Sequence, residues 1–265
     1  MQQTNDAMPA LGTDELIVPS WPAPWKVRAL MTTRRGGVSA EPYGAESGGG
    51  LNLGMGSGDE RETVLANRVR LRAHLPSEPT WLNQVHGAGV VDAAMVDAAQ
   101  LGGAGVEADA SFTAACGVVC AILVADCMPV LFCNRQGTRV AATHAGWRGL
   151  AAGVLEATID ASGLAPGDTM AWIGPAIGPT RFEVGDDVRD ALIAKDTAYG
   201  AAFEPHEEGK WHADLPALAR MRLHACGVFD VFQSGLCTAS NAALFYSYRR
   251  DGMTGRMAAL IWIGQ

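Results

Sequence analysis

The stretch that decides the fold runs from Gly117 to Ala161 and reads GVVCAILVADCMPVLFCNRQGTRVAATHAGWRGLAAGVLEATIDA. Residues 118–125 form an unbroken, β-rich apolar run, the pattern of a strand buried on both faces. Asp126 and Cys127 interrupt it, and residues 130–133 and 139–143 then read as two more strands. Over 147–161 the period changes: Leu150, Val154 and Ala157 share one stripe, with Ala151, Leu155 and Thr158 beside it, which predicts a helix. Strands followed directly by a helix, with ligating side chains in the breaks, give an α/β or α+β chain.

Working outward, Asp59 with Glu62 forms a capping-box pair that starts a helix, which Pro76 stops after Leu75. A short strand is expected at 81–85 and a helix at 186–194. Asp214 caps another helix, with Pro216 in its first turn and Gly227 just past its end. Strands at 228–232, 244–248 and 257–263 complete the chain. The glycine-rich segment 36–58 is interleaved with Val38, Tyr43 and Leu51, which suits an ordered loop passing close to something rather than a linker. With no internal repeat and no composition break, the reading is one domain over 21–265 behind a loosely ordered leader, 1–20.

The charge balance is 20 basic against 28 acidic residues, which argues against a general nucleic-acid binder but not against a small anionic substrate. The longest apolar stretch falls far short of a bilayer span, and residues 1–19 lack the positive and apolar regions of a signal peptide. The six cysteines sit mostly in apolar segments and read as reduced thiols. Cytoplasmic localisation is the resulting expectation.

Three segments carry chemistry: Asn83-Gln84-Val85-His86-Gly87, Ala125-Asp126-Cys127-Met128-Pro129 and Thr143-His144-Ala145-Gly146-Trp147-Arg148-Gly149. Each sets a ligand type just after a strand, where distant parts of a chain meet around a pocket. His86, Cys127 and His144 suit Zn²⁺, and three protein ligands leave a fourth position open. The spacings are not those of a short zinc knuckle. The same residues also fit a small buried cysteine beside a core histidine, or a Cys127 nucleophile with a histidine base and Asp126 orienting it. Arg148, after Gly146 at a helix start, and Arg34 are candidate anion ligands. Asp109 reads equally as a general base or as a strand-end cap. The cluster Tyr246, Tyr248, Arg249, Arg250 and Asp251 fits either the site or the end of an edge strand.

Seven segments occur together in order: Thr-Arg-x-Gly-Gly-Val-Ser (33–39), Leu-Asn-Leu-Gly (51–54), Gln-Val-His-Gly (84–87), Ala-Asp-Cys-x-Pro-Val (125–130), His-Ala-Gly-Trp-Arg-Gly (144–149), Phe-Glu-Val-Gly (182–185) and Ser-Tyr-Arg-Arg-Asp (247–251). In these the chain resembles the bacterial laccase-domain family, labelled polyphenol oxidase and associated with purine nucleoside phosphorylase activity. The resemblance implies stacked mixed β-sheets flanked by helices. It implies that His86, Cys127 and His144 bind zinc, with Asp109 at the catalytic centre and Arg34, Asn52 and Arg148 near the substrate. The implied reaction is phosphorolysis of adenosine or inosine, and of methylthioadenosine, to free base and ribose 1-phosphate, with adenosine deamination as a related activity. Copper-dependent phenol oxidation is the rival suggested by the family's older name. Six scattered histidines without a His-x-His pair are few for coupled copper sites. The motif residues also allow a Cys127-dependent amide hydrolase acting on a cell-wall precursor, or a non-catalytic zinc protein closed by Cys237 as fourth ligand.

Overall fold

The computed structural model describes residues 11–44, 48–96 and 105–265. The strand Val119–Val124 shows how the deciding stretch folds. It lies at one edge of a four-stranded sheet, beside Met257–Ile263, then Val27–Thr32 and the short Leu16–Ile17. Successive side chains of a strand point to opposite faces. Here Cys120, Ile122 and Val124 enter one apolar cluster while Val119, Ala121 and Leu123 enter another. Both faces are therefore buried, which is why the sequence shows no polar alternation.

After Val124 the chain crosses to a six-stranded sheet, whose order is Asp230–Gln233, Thr169–Ile173, Met128–Asn134, Val140–Ala145, Ala110–Thr113 and Val90–Asp92. Leu131 and Cys133 face Ile122, Met257 and Ile261 in the layer between the two sheets. Val130 and Phe132 face the opposite way, against Leu150, Val154, Leu155, Leu192, Leu218 and Leu223 from the helices that cover this sheet. The outer face of the four-stranded sheet is covered by Leu53, Leu71, Leu75 and Trp81, with Leu71 supplied by the helix Arg61–Arg72. The result is a layered mixed α/β domain in which helices flank two stacked sheets. A three-stranded sheet (Glu183–Gly185, Lys210–Ala213, Phe203–Pro205) and the parallel pair Leu82–Asn83 with Val106–Glu107 complete it.

Several sequence expectations change in detail. The helix over 147–161 is two helices, Trp147–Ala152 and Val154–Ser162, because Gly153 adopts φ +90 between them. The strand expected at 244–248 is absent. Phe245 and Tyr246 are fully buried, but the Phe245 amide donates to the Asn241 carbonyl and the Phe245 carbonyl accepts from Arg250, so a turn uses this backbone. Asp59 makes no capping box: its carboxylate accepts from the Ser39 hydroxyl, the Asn52 amide and the Glu60 N–H. Of the expected leader, residues 1–10 lie outside the described residues, while Leu16 and Ile17 pair with Thr32 and Met31. Residues 45–47 of the glycine-rich segment are also outside them. The rest of that segment does pass close to its neighbours: a Cβ on Gly37 would lie 2.1 Å from the Gly50 carbonyl oxygen. No helix among the described residues is long and apolar enough to cross a membrane.

Candidate metal centre

The crossing between the sheets creates the site. Residues 125–127 join Val119–Val124 to Met128–Asn134, and Asp126 turns the chain at φ +86. A non-glycine residue in this region needs its surroundings to hold it there. The Asp126 carboxylate accepts hydrogen bonds from the Thr238 hydroxyl (2.6 Å), the Ser247 hydroxyl (2.9 Å) and the Arg249 amide (2.6 Å). It is therefore tied to the 238–249 segment, and the histidine-orienting role that the nucleophile reading offered it falls to Asp109, which meets His144 Nδ1.

His144 lies on Val140–Ala145 and is paired with Pro129, two residues after Cys127. Asp109 immediately precedes Ala110–Thr113, the next strand on that side. Fully buried, its Oδ1 accepts from the His86 amide at 2.9 Å and meets His144 Nδ1 at 2.8 Å. Its Oδ2 accepts from the Gly87 amide at 2.6 Å and the Val85 amide at 3.3 Å. One carboxylate thus fixes both the His144 ring and the turn on which His86 sits at φ +61. With Nδ1 engaged, His144 Nε2 is left as the ligating nitrogen. Burial alone would raise the Asp109 carboxyl, yet His144 and the amides of Gly87 and His86 hold it below the ordinary carboxylate range.

One ligand atom from each of His86, Cys127 and His144 lies within 4.8 Å of the other two, a grouping that could hold a metal ion. The two imidazoles meet edge to face with centroids 4.8 Å apart. Burial alone would raise the Cys127 thiol, but the two histidines, chiefly His144, pull it down to about 6. Burial opposes protonation of His144, yet Cys127 and Asp109 raise it to about 9. The donor chemistry therefore fits a metal: a readily ionised thiol, two imidazoles and a second layer that orients one of them. Gly146 completes the cradle, because a Cβ there would lie 2.8 Å from the sulfur and 3.5 Å from the His86 ring.

The triad opens into a cleft of about 800 Å³ whose lining includes Trp81, Gln84, Tyr248, Arg68, Arg148 and Arg256. Of the residues expected near substrate, only Arg148 lines it. Arg34 does not: its guanidinium donates to the carbonyls of Ala242 (3.0 Å) and Gly44 (2.5 Å) and stacks over Tyr246. Asn52 is fully buried, accepting from the amides of Gly54 and Arg256 and donating to Ser57 and Asp59. Asp109 is not in the lining either; its carboxylate is engaged by His144 and the amides of Val85, His86 and Gly87. Cys237 is not part of the metal-ligating group. Its sulfur accepts from the Gly178 amide beside a second cavity of about 490 Å³, which contains none of the triad. Arg68, Trp81 and Arg256 were not singled out in the sequence: Trp81 opens the short strand expected at 81–85, Arg256 precedes the one at 257–263, and neither carries a motif of its own. Sequence reading left Tyr248 open between the site and an edge-strand end.

Known proteins resemble this chain over most of its length. A protein of Pseudomonas aeruginosa named purine nucleoside phosphorylase is 51% identical over 93% of this chain and 98% of its own length. An Escherichia coli protein named purine nucleoside phosphorylase YfiH is 50% identical over 94% of this chain and 99% of its own. A Neisseria meningitidis crystal structure superposes with a TM-score of 0.87 at 47% identity, covering 95% of this chain and all of that one. A family model described as multi-copper polyphenol oxidoreductase laccase matches residues 28–264, and with these similarities the chain belongs to that family.

Proposed function

We propose that the cleft carries out phosphorolysis of a purine nucleoside, adenosine or inosine and also methylthioadenosine, at a zinc site formed by His86, Cys127 and His144. The observation that carries this reading is the ligand triad opening into a cleft whose described lining holds three arginines and no carboxylate. The names of the relatives supply the substrate class. A thiolate with two imidazoles suits zinc, and the open fourth position distinguishes a catalytic from a structural site. Multi-copper chemistry needs several clusters, and the described residues contain one such group.

In the reaction a phosphate oxygen attacks C1′ of the ribose, the C1′–N9 bond breaks, and its electron pair leaves with the purine, which takes up a proton. Zinc, when bound, would supply Lewis-acid polarisation at the triad. The chain's own residues supply the rest. Arg148, stacked over Trp147 at 4.4 Å, offers a fork of donors to the anionic nucleophile. Tyr248, 63% exposed at the cleft, offers an aromatic face to the base. Asp109 keeps the ligands oriented through turnover. Adenosine deamination would use the same triad on water in place of phosphate.

One observation favours a second reading. Cys127, His144 and Asp109 are connected as nucleophile, base and orienting carboxylate, which suits amide hydrolysis. The second imidazole on the same sulfur counts against it, since a nucleophile needs only one base. Hypoxanthine release from inosine, followed with and without phosphate, separates the two. Phosphate-dependent release with ribose 1-phosphate formed supports phosphorolysis; phosphate-independent release refutes it, and no release under either condition leaves amide hydrolysis.

A further inference from the structure

The chain carries a net charge of −8, yet among the described residues the cleft lining has Arg68, Arg148 and Arg256 and no Asp or Glu. None of the three has a carboxylate within ion-pair distance among the described residues. What else holds each of them differs. Arg68 spends Nε and Nη2 on the Leu53 carbonyl and lies flat on Trp81 at 4.1 Å, so it acts as a wall. Arg148 is exposed and rests on Trp147.

Arg256 is built differently. Its Nη1 donates backwards to the carbonyls of Thr254 (2.8 Å) and Gly255 (3.0 Å), and its amide is held by Asn52 Oδ1 at 2.9 Å. Its stem crosses Gly54 so closely that a Cβ there would sit 2.6 Å from the Arg256 Cγ. Nε and Nη2 have no protein partner among the described residues, and neither is a buried orphan. That edge is the flat, two-donor face that matches an oxyanion. Arg256 lines the same cleft as His86, Cys127 and His144.

We propose that the Nε/Nη2 edge of Arg256 holds inorganic phosphate beside the triad, as a bidentate ligand of the co-substrate acting together with Arg148. This rests on the phosphorolysis reading and adds to the anion site a residue outside every motif segment. It also gives Asn52 a purpose: the buried amide presents Arg256, and does not itself meet substrate.

The test uses the full-length, metal-loaded protein with Arg256→Gln and Arg256→Lys. With inosine saturating, Arg256→Gln is expected to raise KM for phosphate roughly 10- to 100-fold, the loss of one bidentate charged contact. KM for inosine is expected to stay within about 3-fold, and Arg256→Lys to fall between, since it keeps charge but not the fork. Phosphate should raise the melting temperature of the wild type but not of Arg256→Gln. Melting without phosphate shows whether each variant is folded, and Arg256→Lys carries the test if Gln is not. An unchanged phosphate KM and an unchanged phosphate-induced melting shift overturn the proposal. So does a larger effect on binding of a nucleoside 5′-monophosphate than on inorganic phosphate, which would give the edge to a substrate's own phosphate. A wild type that never phosphorolyses nucleosides sinks the functional reading instead, and the melting shift then still decides the Arg256 assignment.

Discussion

Asp109→Asn changes one atom's chemistry and little of its shape, and four contacts depend on that atom pair. In one amide orientation the NH₂ group stands where Oδ2 accepts from the Gly87 amide at 2.6 Å and the Val85 amide at 3.3 Å, so donors face donors. In the other it stands between the His86 amide at 2.9 Å and His144 Nδ1 at 2.8 Å. There it leaves the His86 N–H without an acceptor and turns His144 to the tautomer with Nε2 protonated. Either way a fully buried site loses at least one bond to a charged acceptor. Such a bond contributes roughly 1.5–3 kcal/mol, and the opposed donor is left unsatisfied. A fall of about 3 kcal/mol in unfolding free energy corresponds to roughly 6–12 °C in melting temperature for a domain of this size. Metal affinity should drop about 10- to 100-fold, as for other groups that orient a ligating histidine. Thermal melting of metal-free protein and competition against a zinc chelator read the two effects separately. Wild-type melting together with wild-type zinc affinity would refute the assignment of Asp109 as the residue that positions His86 and His144.

Gly146→Ala adds a methyl 2.8 Å from the Cys127 sulfur and should weaken metal binding at least tenfold by chelator competition, while circular dichroism keeps its wild-type form. Arg34→Ala removes hydrogen bonds to Gly44 and Ala242 and the contact with Tyr246. It should therefore lower the melting temperature while leaving KM for phosphate unchanged. In native protein Cys120 and Cys133, buried with thiols pushed up to about 12, should resist iodoacetamide until denaturant is added. Mass mapping should show zinc protecting Cys127 and leaving exposed Cys116 as reactive as before.

The legible parts of the fold were those set by local periodicity. Both faces of Val119–Val124 and Met128–Asn134 are buried, so their apolar runs announced strands, and Asp214 accepts from the Ala217 amide as its cap position implied. Leu244–Tyr248 misled because burial of Phe245 and Tyr246 comes from a turn packed under Tyr43, where Tyr246 donates to the Tyr43 carbonyl at 2.6 Å. An apolar aromatic pair looks the same in either setting. The helix break at Gly153 was visible only as one glycine in a helical pattern, which many helices tolerate. At the site, the three ligand types stood out because each was expected at a strand end; Cys127 follows Val119–Val124 and His86 follows Leu82–Asn83, while His144 is the penultimate residue of Val140–Ala145. The roles of Arg34, Asn52 and Asp109 did not, because distinguishing a side chain that lines a cleft from one that braces it needs the tertiary contacts. Arg256 was silent for the same reason: its neighbours Asn52 and Gly54 are about 200 residues away in sequence.

The most direct test is X-ray absorption at the metal edge of protein purified without metal supplementation, combined with metal analysis. About one zinc per chain is expected, bound by one sulfur, two imidazoles and one light atom not supplied by the protein. Copper in place of zinc, a second sulfur, or a metal that persists in Cys127→Ala would contradict that expectation.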